Sequence, residues 1–305
     1  MLGHQWPGQG RMGQNGENTP IAFLGIGLMG LPMAEHLLEA GINLRVWNRT
    51  AAKAKPLGAY GAHVAASAHD AVAGAKIVIS MLSDGGAVFG LVQDPLVQSA
   101  LREDALWIDM SSTRRDEAVG ISKSLQAQKV EFIDAPVSGG TKGAADASLA
   151  IMVGAQTHNF ERAKPVLKHL GNPVHVGGVG SGQLAKLANQ LIVALTIGAV
   201  AEAVLLLEKG GADAGAVRDA LKGGFADSVV LQQHGRRMSE RDFEPGGLSR
   251  LQLKDLENVL IQARETGIEL PMTMSIRDRF DHYVKAMGGG EKDHSGLFEE
   301  LLARN

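Results

Sequence analysis

Up to about residue 176 the apolar positions fall into short runs. β-Branched or apolar stretches occupy residues 21–25, 43–47, 77–82, 106–110 and 131–135, and Ala-rich stretches with helical spacing, such as 33–40, 51–59 and 116–129, lie between them. Strand, helix, strand at this rhythm predicts a parallel sheet with crossover helices on both faces. Two further runs, 149–153 and 174–176, flank a helical stretch near 159–170 and extend the same sheet.

The texture changes at Gly177-Gly178-Val179-Gly180-Ser181-Gly182. About 28 residues without proline follow, a helix of roughly 42 Å at the standard rise. Gly198 is its only weak point, and Gly210-Gly211 ends it. Between residues 191 and 207 it is apolar on most sides, so other elements must cover it all round. Glu202 interrupts that stretch and Lys186 stands just upstream, which reads as a buried helix of a soluble protein rather than a membrane span. The rest is helical in pattern, at 213–221, 227–238, 251–266, 272–287 and 297–304. The expected architecture is a Rossmann-like, doubly wound α/β domain over 20–179 and an all-α domain over 180–305 built on the long helix. Residues 1–19, rich in Gly, Gln and Asn, read as a disordered leader without the apolar run of a secretory signal.

Composition narrows the function classes. The 305 residues carry 30 Lys and Arg against 33 Asp and Glu, a net charge of −3. No basic excess exists to neutralise a phosphate backbone, which argues against nucleic-acid binding. Cysteine is absent, which removes disulfides, thiolate metal sites and cysteine nucleophiles, and fits a reducing, cytoplasmic setting. The ten His residues show no HxxH or HExxH spacing, so no metal is expected.

Gly25-Ile26-Gly27-Leu28-Met29-Gly30 is GxGxxG, placed after the first strand and at the opening of a helix. Gly25 permits the tight turn, Gly27 lets backbone approach a pyrophosphate, and Gly30 lets helix and strand pack closely, with the helix N-terminus facing the anion. Leu28 and Met29 contribute backbone to the same loop. The second strand ends Trp47-Asn48-Arg49-Thr50, with no acid to bind a ribose 2′-hydroxyl and with Lys53 one turn on. A cation there suits a 2′-phosphate, so NADP(H) is favoured over NAD(H). The alternative for Arg49 is a solvated turn residue. The strand ends Met81-Leu82 and Met110-Ser111-Ser112-Thr113 should also face the cofactor, Thr113 on the nicotinamide side, while Ser111 and Ser112 serve equally well as N-caps.

Ser138-Gly139-Gly140 offers a hydroxyl and free N–H groups to a small carboxylate. Lys186, near the start of the long helix, has mostly apolar neighbours, and Asn189 and Gln190 share its face. Snorkelling would explain such a lysine; its position directly after the nucleotide domain instead lets it face the cleft.

These residues resemble the β-hydroxyacid dehydrogenases, to which 6-phosphogluconate dehydrogenase is a more distant relation. The resemblance runs from about residue 21 to the C-terminus, through Gly25-x-Gly27-x-Met29-Gly30-x-x-Met33, Asp134-Ala-Pro-Val-Ser138-Gly139-Gly140, Gly182-Gln-x-x-Lys186-x-x-Asn189 and Lys254-Asp255-Leu256. The stretches Lys222-Gly223-Gly224-Phe225-Ala226 and Asp293-His294-Ser295 look most like the tartronate semialdehyde reductase branch. The resemblance implies Lys186 as catalytic lysine, Ser138, Gly139 and Gly140 as the carboxylate segment, and Thr113 and Lys254 as cofactor contacts. Several members carry a substrate-binding Asn four residues after the lysine; here Gln190 stands there and Asn189 precedes it, which leaves open which amide takes the role. Ala147 and Ser148 replace the pattern's usual Gly and Thr. The activity implied is hydride transfer between NADP(H) and a small β-hydroxy acid or semialdehyde. The competing readings are a 3-hydroxyisobutyrate or L-serine dehydrogenase and a catalytically silent NADP-binding scaffold. Imine reductases share the architecture but usually lack the lysine. The apolar spine leads us to expect a homodimer or homotetramer. His294 follows a Gly288-Gly289-Gly290 turn and belongs either to a segment reaching over the cleft or to a stretch in which Asp293 or Ser295 caps the last helix.

Overall fold

The structure, a computed structural model, describes residues 19–305. Apart from Thr19, the expected leader lies outside the described residues.

The first half alternates as its apolar runs predict. In chain order it comprises β1 (Ile21–Leu24), α1 (Gly30–Glu39), β2 (Leu44–Trp47), β3 (His63–Val64), α2 (Ala68–Val72), β4 (Ile77–Ser80), α3 (Gly85–Gln93), α4 (Pro95–Ala100), β5 (Leu106–Asp109), α5 (Arg115–Gln126) and β6 (Glu131–Asp134). There follow β7 (Val137–Ser138), α6 (Gly140–Ala145), β8 (Leu149–Gly154), α7 (Thr157–Leu167) and β9 (Gly171–Gly177). The sheet runs β3-β2-β1-β4-β5-β6-β8-β7, with β9 on β8. Strand order reverses between β1 and β4, which places a ligand crevice at their carboxyl ends. β1 and β5 are buried along their whole length, as in a sheet covered on both faces. Ile21 and Phe23 enter one core with Met33, Leu37 and Leu167, whereas Ala22 and Leu24 enter the other with Val88, Val92 and Ile121.

Two details depart from the sequence reading. The sheet is parallel from β3 to β6, but β8 runs antiparallel to β6 and β7. The six-residue α6 is too short for a crossover, so the chain folds back instead. Residues 51–59 form two 3₁₀ segments, Ala51–Lys53 and Lys55–Tyr60, rather than an α-helix. Pro56 and Gly58 within that stretch account for the break.

Beyond β9 the chain is helical: α8 (Ser181–Lys209), α9 (Ala214–Leu221), α10 (Arg236–Glu240), α11 (Ser249–Thr266), α12 (Pro271–Asp281) and α13 (Leu297–Arg304). The single helix expected over 227–238 is interrupted by a π-helical turn, Leu231–Gly235, and the one expected over 272–287 ends in another, His282–Ala286. Ala194, Ile197, Ala201 and Val204 of α8 form the spine of a third core with Leu256, Phe280, Tyr283 and Phe298. By length and composition α8 is apolar enough to cross a membrane, and 33% of that apolar window is buried within the chain. Ile192 and Leu206 are 62% and 74% exposed, so one chain alone does not cover the spine on all sides.

Candidate active site

The loop after β1 shows why each of its glycines is needed. Gly25 has φ +107°, and a Cβ there would lie 2.2 Å from the Met81 carbonyl oxygen. A Cβ on Gly30 would meet the Gly25 oxygen at 2.0 Å, whereas one on Gly27 would meet nothing within 4 Å. The loop is therefore closed against the protein at both ends and open in the middle. No side chain caps α1, and its first turn carries no acid, so its dipole and N–H groups suit an anion. Asn48 braces this loop: Ile26 N–H donates to its Oδ1 at 2.9 Å, and its Nδ2 donates to the Thr50 carbonyl at 2.9 Å. Its amide thus shapes the glycine turn, while Arg49, Thr50, Lys53 and Leu28 are exposed beside it. Met29, Met81 and Leu82 are partly buried at the switch point.

The start of α8 is locked to the sheet. Asp134, at the end of β6, accepts from Gly180 N–H at 2.7 Å and Gln183 N–H at 2.8 Å. Burial pushes its pKa up to about 6 against the pull of those N–H donors. Gln183, fully buried, accepts from Thr113 N–H at 3.0 Å and donates to the Ser111 carbonyl at 2.8 Å. Ser111 Oγ in turn accepts from Leu82 N–H at 2.9 Å, so this serine holds a strand end and does not cap the following helix. A Cβ on Gly182 would fall 2.5 Å from the Met152 carbonyl oxygen, which explains the glycine. Asp134 and Gln183 entered the sequence reading only as motif letters. The signal that identifies them is an acid closing an otherwise apolar strand, matched to a glycine-opened helix.

One turn into α8, five expected residues meet. Lys186 Nζ donates to Gln190 Oε1 at 3.1 Å, and Asn189 Nδ2 donates to the same oxygen at 2.9 Å. Ser138 Oγ donates to Asn189 Oδ1 at 3.3 Å. Gln190 Nε2 donates to Asp255 Oδ2 at 2.6 Å, and Lys254 Nζ lies 3.4 Å from Asp255 Oδ1. The network therefore sorts the two amides. Asn189 faces the Ser138 segment, while the Gln190 side chain bridges Lys186 and Asp255. Burial lowers the Lys186 pKa; Asp255 opposes the shift and Lys254 adds to it. Hydrogen bonds from Ala87 N–H and Ser83 hold the Asp84 carboxyl, at the N-terminus of α3, below its usual range, and the Lys254 charge adds to the shift. Gly139 and Gly140 are exposed next to Ser138. Thr113 is buried, and its N–H donates to Gln183, one turn before Lys186 on α8.

His294 does not reach over this cleft from its own chain. Asp293 accepts from Ser295 N–H and caps the 3₁₀ turn His294–Gly296 ahead of α13. The His294 ring packs edge-on to His234, with centroids 4.6 Å apart.

Comparison with known proteins agrees with this geometry. Residues 20–179 match the NAD binding domain of 6-phosphogluconate dehydrogenase, and residues 180–301 match the NAD-binding region of NADP-dependent 3-hydroxyisobutyrate dehydrogenase. The chain is 39% identical to 2-hydroxy-3-oxopropionate reductase of Escherichia coli, over 93% of this chain and 98% of that one. It is 33% identical to a probable mitochondrial 3-hydroxyisobutyrate dehydrogenase-like protein of Arabidopsis thaliana, over 94% and 86%. A solved Mycobacterium tuberculosis 3-hydroxyisobutyrate dehydrogenase with L-serine superposes with a TM-score of 0.85 at 33% identity, covering 93% of this chain and 99% of that one. Sheet, glycine loop, partly buried lysine and both matched halves lead to one conclusion: the chain belongs to the β-hydroxyacid dehydrogenase family of nicotinamide-dependent oxidoreductases.

Proposed function

We propose that this protein reduces 2-hydroxy-3-oxopropionate (tartronate semialdehyde) to D-glycerate with NADPH. The observation that carries the reading is Lys186, an amine with a lowered pKa hydrogen-bonded into the Ser138–Asn189–Gln190 cluster at the junction of sheet and helices. The identity to the Escherichia coli reductase supports the substrate, and the absence of an acid beside Arg49 supports NADPH.

Gly25, Gly27, Leu28, Met29 and Gly30 would hold the pyrophosphate. Asn48 would keep that loop in shape, with Arg49 and Thr50 at the 2′-phosphate. Met81, Leu82, Thr113 and Lys254 would line the nicotinamide end. When bound, the reduced nicotinamide supplies the hydride. Ser138 with the Gly139 and Gly140 N–H groups would hold the substrate carboxylate. As charge grows on the substrate carbonyl oxygen, the Lys186 ammonium stabilises it and gives up its proton. In the reverse direction neutral Lys186 takes the alcohol proton, and burial brings that form within reach at lower pH than for an ordinary lysine. Asn189 orients the substrate, and Gln190 holds the amine.

The exposed apolar face of α8 favours a second copy of this chain as its cover, in a cytoplasmic homodimer or homotetramer. The L-serine in the mycobacterial structure supports a second reading, a 3-hydroxyisobutyrate or L-serine dehydrogenase. A panel of tartronate semialdehyde, methylmalonate semialdehyde, glyoxylate, D-glycerate and L-serine, each with both cofactors, separates these. Tartronate semialdehyde with NADPH should give the highest kcat/KM, by at least roughly tenfold, the order of discrimination that pocket contacts supply. Dominant turnover of L-serine or methylmalonate semialdehyde would replace this reading, and a flat response to all would favour a silent scaffold.

A further inference from the structure

Away from the cleft, three potential ligands from distant parts of the sequence converge. His234 lies on the π-helical turn Leu231–Gly235, and Asp293 and His294 lie at the entrance to α13. His234 Nε2 is 3.2 Å from His294 Nε2, and His234 Nδ1 is 3.6 Å from Asp293 Oδ1. One ligand atom from each of the three residues lies within 4.8 Å of the others. His234 is 7% exposed, and its Nδ1 is buried without a hydrogen-bond partner.

We infer that His234, His294 and Asp293 form a binding site for a divalent transition-metal ion, zinc or its close substitutes. Ligands at about 2.0–2.2 Å from a tetrahedral ion lie roughly 3.3 Å apart, so with His234 Nδ1 as the ligand its 3.6 Å spacing to Asp293 Oδ1 approximates one edge of such a site. The edges to His294 lie within the 4.8 Å limit and close by inward shifts of about 1.5 Å or less on the same geometry. The donor set, two imidazoles and a carboxylate, is one that zinc accepts with a fourth position left to solvent. The unpartnered Nδ1 points to a ligand, because buried polar atoms normally find a partner or an ion.

Outer contacts position all three residues. His294 Nδ1 faces Gln252 Oε1 at 3.3 Å, which leaves its Nε2 lone pair toward His234. Asp293 Oδ1 accepts from Ser295 N–H and Oγ–H, and its Oδ2 accepts from Gly246 and Gly247 N–H. Arg237 Nη1 lies 3.5 Å from Asp293 Oδ2 and opposes a dication, so this site is weaker than a closed structural zinc site. An ion here would pin the π turn to the C-terminal segment. Gln252 also donates to the Gln190 backbone carbonyl, so the clamp abuts α8 behind the catalytic cluster. The ligands are about 60 residues apart, which is why short-range histidine spacing does not reveal them.

The test is titration of the purified full chain with Co²⁺, read by visible ligand-field absorption, with Zn²⁺ displacement and thermal melts in parallel. The expected result is one equivalent with a tetrahedral-type spectrum, bleached by Zn²⁺, and a melting temperature raised by Zn²⁺. His234→Gln and His294→Gln should each lose the spectrum and the thermal shift while keeping a native circular dichroism spectrum. Absence of a spectrum in the wild type overturns the site whether or not the variants fold. An equal spectrum in wild type and either variant overturns it as well.

Discussion

Two helices in this molecule begin at a glycine turn on the edge of the same sheet, and they treat their N-termini in opposite ways. α1 begins without a side-chain cap and with no acid in its first turn. α8 begins at Gly180, φ +88°, with the Asp134 carboxylate already on its N–H groups. The field at the two ends is the same in kind. At α1 no side chain meets it; at α8 it is satisfied by the protein and joins the two halves. A glycine-rich turn before a helix is therefore not by itself a ligand site. What separates the two is whether a buried acid is in place.

The sharpest break of this comparison targets what the anchored helix carries. Lys186→Ala should lower turnover about 10²–10⁴-fold, the range for loss of a general acid, while cofactor affinity in equilibrium binding stays within about twofold. Unchanged turnover would reject the assignment of Lys186. Next, Gly27→Asp would make the open terminus resemble the plugged one. Space exists for the new Cβ, so the fold should persist. The carboxylate should weaken NADPH binding about 100-fold, roughly 2.7 kcal/mol, by like-charge repulsion. Binding within a factor of three of wild type would show that the pyrophosphate lies elsewhere. The reverse experiment empties the plugged terminus. Asp134→Ala leaves two buried N–H donors unmet and should cost about 2–3 kcal/mol in urea unfolding, and Asp134→Asn should recover part of it. The smallest effect concerns protonation. In the oxidation direction kcat/KM should rise with pH as Lys186 loses its proton. Asp255 stabilises the ammonium, so Asp255→Asn should lower the Lys186 pKa further and move the rising limb to lower pH. A shift to higher pH would remove Asp255 from this role.

The readable parts of the sequence are those set by local rules. The glycine loop, the alternating strands and Lys186 announce themselves because period, turn geometry and an out-of-place charge are properties of neighbouring residues. The antiparallel return of β8 was not legible, since it depends on how α6 ends rather than on the apolar run itself. Nor were the π turns, which arise where packing adds a residue to a helical pattern. The partners of Lys186 were half legible. Asn189 and Gln190 are visible at helical spacing, but only the arrival of Asp255 from α11 decides that Gln190 turns toward it and away from Ser138. Gln183 was invisible as a connector because its two contacts, Thr113 and Ser111, lie some 70 residues earlier.

That connector has a consequence for how the molecule moves. Since Gln183 and the residues beside it are bolted to the loops after β5 and β6, the first turn of α8 travels with the nucleotide-binding frame. Lys186 stands a single turn later on the same helix, and Gln190 links it to Asp255 of the helical body. Any rocking of the helical body to admit substrate would then flex the chain beyond Lys186. The hydrogen bond from Gln190 to Asp255 is the contact that such a motion would load first.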